Sequence, residues 1–277
     1  MTASLVTYLG MNLLVIFVVF PSHILRRLAD PTAGLISSTL VVNASILAIM
    51  IGLLKLSGDF SLDDLGLRWA DLPVAFGVTC LLWLSVNLLQ VALALAWQAP
   101  VALNSDLLRL GWPRALGNLI GQLLGNALFE EVMFRGFFFR QAYIRFQSVN
   151  LNVTWRVVCG AGLSQVIFAA IHLPLRLSSG MALRDLPLEL ALLFALGFLL
   201  CLVYWQTDNL LVCVGIHALS NAPLLLVREQ VDLSTSGAIA AAASLLIITL
   251  WPYSSSWANQ SMQPNAGRRT ERLKDEL

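Results

Sequence analysis

Charge is what this chain has least of. Asp, Glu, Lys and Arg make up 12% of its 277 residues, where a soluble domain carries about 25%. Lysine is almost missing: Lys55 and Lys274 are the whole supply, and the arginines are scattered with no basic face. Nothing gathers positive charge for nucleic-acid phosphates, so nucleic acid is not an expected partner. Cysteine is also sparse, and Cys80, Cys159, Cys201 and Cys213 lie in apolar stretches without CxxC spacing. That pattern excludes a redox pair or a cysteine zinc site and predicts small buried hydrophobes.

Hydrocarbon fills the space that charge leaves. Hydrophobic residues make 58% of the chain, and the mean hydropathy is +0.77. Windows of about 20 apolar residues mark membrane-spanning helices. They predict spans at Leu5–Phe20, Gly34–Leu54, Val74–Trp97, Ala115–Phe139, Val157–His172, Leu188–Trp205, Leu210–Val227 and Ser236–Trp251. The expected fold is therefore all-α, a polytopic membrane protein of about eight transmembrane helices, with the lipid bilayer as its first partner. Pro174 is expected to stop the fifth span. The first is not a signal peptide, because no basic residue precedes it and Arg26 and Arg27 follow. One membrane domain is expected over residues 1–253, followed by a polar tail at 254–277 that is expected to be mobile. Orientation stays open: Arg26 and Arg27 favour an outside N-terminus, while the remaining loop charges favour the opposite.

Against this apolar background one stretch stands out, Phe129-Glu130-Glu131-Val132-Met133-Phe134-Arg135-Gly136. Each such charge costs about 2.5–3.5 kcal/mol at a bilayer centre, so these side chains should face protein or a wet cavity. Glu131 and Arg135 are four apart with the acid first, the favourable order for an ion pair on one helical face. Glu130 points about 100° away and is free for other work. In the approach to this motif, Gly117, Gly121 and Gly125 form a ridge for close helix packing. Asn118, Gln122 and Asn126 form a neighbouring row, suited either to interhelical hydrogen bonds or to a wet passage.

Of the three histidines, His23 lies beside Arg26 and Arg27 and reads as interfacial. His172 and His217 lie deep in separate apolar spans. Phe168 shares a face with His172, and Asn221 with His217, at i,i+4 spacing. An aromatic one turn before a histidine can wall off its ring, and His217 with Asn221 offers two donors side by side, as an oxyanion requires. These residues suit a water-activating site within the membrane, with Glu130 as general base, His172 relaying the proton, and His217 and Asn221 stabilising the oxyanion. Zinc is the alternative, because two histidines and a glutamate (Glu130, His172, His217) are a known catalytic ligand set.

Glu130-Glu131-x-x-x-Arg135, Phe168-x-x-x-His172 and His217-x-x-x-Asn221, in that order on separate spans, resemble the motifs of the CPBP family of intramembrane proteases. That family includes the CAAX prenyl endopeptidase of the Rce1 type and the bacterial Abi proteins. The resemblance implies a bundle of about eight transmembrane helices around an intramembrane polar cavity. It also implies an endopeptidase in which Glu130 and His172 activate water and His217 and Asn221 line the oxyanion hole. Glu131 and Arg135 would shape the site, and Phe168 would support the pocket. No resident metal is expected, with zinc held as the alternative. The implied substrate is a membrane-associated peptide or lipidated protein, CAAX-type processing being one form.

Other protease classes fit less well. There is no His-Glu-x-x-His helix and no pair of intramembrane aspartates. Gly162-Leu163-Ser164-Gln165 lacks the closing glycine of a serine-hydrolase turn, so Ser164 is expected to pack. The competing reading is a non-proteolytic membrane partner, an immunity or chaperone-like protein of the same fold. A bacterial cell membrane is the expected location. Lys274-Asp275-Glu276-Leu277 matches an endoplasmic reticulum retention signal and makes that membrane the alternative, although the match is read as coincidence. The acceptor patterns Asn152-Val153-Thr154 and Asn259-Gln260-Ser261 carry no weight without a secretory context.

Overall fold

A computed structural model describes residues 7, 10, 11, 30–58, 61–149, 151–230 and 237–252. The first predicted span, His23 and the tail at 254–277 fall outside or almost wholly outside these residues. Every other predicted span is a helix, and no strand occurs among the described residues apart from an isolated antiparallel bridge between Leu103 and Val227. The helices are α1 (Ser38–Gly58), α2 (Leu72–Ala96), short α3 (Ser105–Leu110), α4 (112–145), α5 (Val153–Ser178), α6 (Leu186–Thr207), α7 (Leu210–Asn221) and α8 (Ala238–Leu250). α1, α2, α5 and α6 are each long and apolar enough to cross a membrane. The protein is an all-α polytopic membrane protein, as its composition requires.

Polar side chains in these apolar helices bond to their own backbone. Asn43, Ser45, Thr79, Ser85 and Asn87 each donate to the carbonyl four residues earlier, which spares them unpaired exposure to lipid. Asparagines start three helices: Asn104, Asn152 and Asn209 accept from backbone N–H groups of the first turns of α3, α5 and α7.

α4 lies at the centre. All of Val132–Phe139 is buried, as befits a helix surrounded by others rather than facing lipid. Phe129, Phe134, Phe137 and Phe138 share one core with Met50 and Leu54 of α1, Phe168 of α5, Leu200 and Tyr204 of α6, and Cys213 and Ile216 of α7. The glycine ridge is a packing surface against the chain entering α1. A Cβ on Gly117 would stand 2.1 Å from the Gly34 carbonyl oxygen, and one on Gly121 would stand 2.4 Å from Ser37 Oγ. Gly117→Ala should therefore cost about 1–3 kcal/mol and lower the melting temperature in detergent. Gly162→Ala, which meets nothing within 4 Å, is the control, and equal melting of the two variants would refute the contact.

Two boundaries depart from expectation. α5 runs through Pro174 to Ser178. Proline removes one backbone N–H, and the bond lost is to the carbonyl of exposed Ala170. α7 ends at Asn221, not Val227, because Pro223 drives Ala222 out of helical geometry (φ −147°, ψ 77°). The chain then runs non-helically, which lipid would not tolerate unpaired. Side chains of α2 satisfy it: Trp83 donates to the Leu224 carbonyl, Asn87 accepts from Leu226 N–H and Gln90 from Gln230 N–H. The cysteines divide. Cys201 and Cys213 are buried as expected and Cys159 is half-buried, but Cys80 is exposed on α2, where an apolar bilayer suits a thiol as well as a core does.

Candidate active site

α4 changes winding on both sides of its acidic pair. Gln122–Asn126 and Val132–Phe139 are π-helical, and between them Ala127–Glu131 is an ordinary α turn. π segments are rare, frequently mark functional sites, and re-aim the side chains that follow them. Both carboxylates thereby reach the histidines of neighbouring helices.

Glu131 is structurally engaged. It is wholly buried, and its Oε1 accepts from Arg135 Nη1 at 3.0 Å and lies 2.7 Å from His217 Nδ1. Arg135, equally buried, donates through Nη2 to the Gly197 carbonyl at 3.1 Å and lies over the Phe168 ring at 5.2 Å. The predicted ion pair is present, with a histidine added to it. Glu130 is the looser acid. Its Oε2 is 3.5 Å from His217 Nε2 and its Oε1 is 3.9 Å from His172 Nε2. Among the described residues no closer partner occupies either oxygen, and both imidazoles present a nitrogen to it.

The far nitrogens of the two rings are held. His172 Nδ1 lies 2.8 Å from the Phe168 carbonyl. A carbonyl only accepts, so Nδ1 carries the proton and the lone pair of a neutral His172 is on Nε2, facing Glu130. Phe168 stands 4.5 Å from the His172 ring, centroid to centroid, and packs edge-on against Phe134. That is the walling role its spacing predicted.

Asn221, the last residue of α7, donates through Nδ2 to Gln122 Oε1 at 3.1 Å, and Asn126 reaches the same oxygen at 3.4 Å. The amide row thus hydrogen-bonds between helices at Gln122, Asn126 bonds to Gln122 within α4, and Asn118 is exposed. Arg135, Phe168, His217 and Asn221 line a cavity of about 160 Å³. Ser164 donates to the Phe134 carbonyl and takes the packing role expected of it.

Sequence reasoning missed Gly197 and Gln165. A Cβ at Gly197 would come within 2.0 Å of Gln165 Oε1 and 3.1 Å of Arg135 Nη2, so the bare backbone is what lets the guanidinium reach its carbonyl. A glycine in an apolar helix gives no such signal. Glu131 Oε2, Arg135 Nε and Gln165 Oε1 are buried without a hydrogen-bond partner among the described residues.

The donor types of Glu130, His172 and His217 suit zinc, and ligand histidines commonly anchor their second nitrogen as these do. Among the described residues, however, no three His, Cys, Asp or Glu side chains converge as a metal requires.

The site is thus a buried acid flanked by two imidazoles among the helices of a membrane protein. Residues 112–223 match the family model described as Rce1-like, type II CAAX prenyl endopeptidase Rce1-like. The match runs from the start of α4 to just past α7 and takes in every residue of the candidate site, so the similarity to the Rce1-like family rests on that segment. No curated protein and no solved structure matches the chain.

Proposed function

We propose that the protein is an intramembrane endopeptidase that hydrolyses a peptide bond with water activated by Glu130. The observation that carries this reading is the position of Glu130 between His172 Nε2 and His217 Nε2, with neither nitrogen closer than 3.5 Å and, among the described residues, no tight ion pair to hold the acid. Glu130 takes a proton from water as general base, and the His172 Nε2 lone pair shares that proton and passes it to the leaving amine. The carbonyl oxygen becomes an oxyanion stabilised from the α7 side. There Asn221 has a second amide hydrogen beyond the one given to Gln122, and His217 donates from Nε2 when protonated. With His217 protonated, Glu130, Glu131, Arg135 and His217 sum to zero charge, which a low-dielectric site favours.

A lipidated peptide is the proposed substrate, and CAAX-type processing is its most specific form. A cleft of about 560 Å³, walled almost wholly by apolar side chains of α2, α4 and α7, the last being the helix that carries His217, suits a substrate with a hydrocarbon chain. The bacterial cell membrane is the proposed location, with residues 1–253 as one domain.

The test is purified protein in detergent with a quenched fluorescent peptide ending in a farnesylated Cys and three residues. Cleavage that persists in strong chelator is the expected result. Cleavage lost to chelator and restored by zinc would assign Glu130, His172 and His217 to a metal instead.

A further inference from the structure

The site cavity has a second end. Arg135 and Phe168 close it on the buried side, whereas Arg176 and Glu189 line it with side chains 31% and 26% exposed. The two walls are helical faces at i,i+4 spacing: Phe168, His172 and Arg176 on α5, and Leu192, Leu196 and Leu200 on α6. All but His172 line the cavity itself.

Arg176 is not used up by its ion pair. Nη2 donates to Glu189 Oε1 at 2.7 Å, while Nε is buried with no partner. A guanidinium presents five donors in a fork that matches a carboxylate. Arg176 lines the same cavity as His217 and Asn221, and its pair with Glu189 engages Nη2 alone, which leaves guanidinium hydrogens for an anion that enters there.

We infer that Arg176 reads a free α-carboxylate at the C-terminal end of the substrate, with Glu189 holding the guanidinium in position until that carboxylate arrives. The inference rests on the proteolytic reading above. Geometry supplies the distance. Arg176 lies one turn beyond His172, about 6 Å along the helix axis, and an arginine side chain adds a similar reach. Three extended residues span about 10 Å, so a scissile carbonyl beside His172 places a carboxylate three residues downstream within reach of Arg176. The leucines of α6 between the two ends offer an apolar wall to the intervening side chains.

The experiment compares two fluorescent peptides, identical except for a C-terminal acid or amide, each with a farnesylated Cys followed by three aliphatic residues. Binding is measured on the Glu130→Gln protein, where turnover does not intrude, and cleavage on the parent. The acid should bind about tenfold or more tighter than the amide, as a charge-assisted pair at a partly buried site predicts. Arg176→Gln should bring that ratio close to one, Arg176→Lys should leave it intermediate, and Glu189→Gln should raise it by freeing the guanidinium. Equal binding of acid and amide by the parent site, or a ratio unmoved by Arg176→Gln and Glu189→Gln, overturns the assignment. Glu130-dependent cleavage with an unmoved ratio removes Arg176 alone and leaves the protease reading standing. Acid-selective binding without cleavage does the reverse.

Discussion

Glu130→Gln should lower kcat about 10²–10⁴-fold, the range that a positioned general base contributes, with little change in melting temperature. Glutamine keeps the shape of the side chain but accepts no proton from water. Folding should survive because Glu130 has little to lose: its nearest histidine nitrogens are at 3.5 and 3.9 Å, beyond a good hydrogen bond. The measurement is steady-state cleavage of the farnesylated peptide beside a melting curve in the same detergent. More than a tenth of the parent kcat in a well-folded variant would remove Glu130 from the role of base.

Arg135→Met should act in the opposite sense, on stability before activity. Arg135 is fully buried between Glu131, the Gly197 carbonyl and the Phe168 face. Its removal takes the stronger cation from Glu131, leaves His217 to serve both buried carboxylates, and costs about 3–5 kcal/mol. That is a large share of the 5–15 kcal/mol that typically separates folded from unfolded protein. Glu131→Gln should destabilise for the mirror reason, by stranding the guanidinium, and therefore more than Glu130→Gln. Replacing both members together, Glu131→Gln with Arg135→Met, should recover much of the loss, since breaking a buried pair costs more than deleting it. A double-mutant cycle of melting temperatures decides this. Strictly additive single effects would show that the two charges do not depend on each other.

Much of this was legible in the residues because membrane sequence is under a strong constraint. A span must satisfy its own backbone, so seven predicted segments emerge as helices, and the charges within them are conspicuous. The i,i+4 pairs Glu131–Arg135 and Phe168–His172 follow from helix periodicity and are found in contact. Pro174 misled, because one lost hydrogen bond on an exposed helix flank does not end a helix packed along its other side. The end of α7 misled in the other direction: an apolar run continues to Val227, but Pro223 forbids the helix, and the freed backbone groups find partners on α2.

The sequence by itself determined the class of the protein, the identity of its acids and imidazoles, and the helical faces on which they lie, because those depend on composition and local period. Tertiary structure decided what each acid meets. The spacing to Arg135 already separated paired Glu131 from Glu130, but only the approach of α7, which sets His217 Nδ1 against Glu131, and of α6, which offers Arg135 a glycine carbonyl, completes the network around the pair. The same packing brings Arg176 and His217, far apart in the chain, to one cavity. Such choices depend on where separate helices meet, and no local period encodes that.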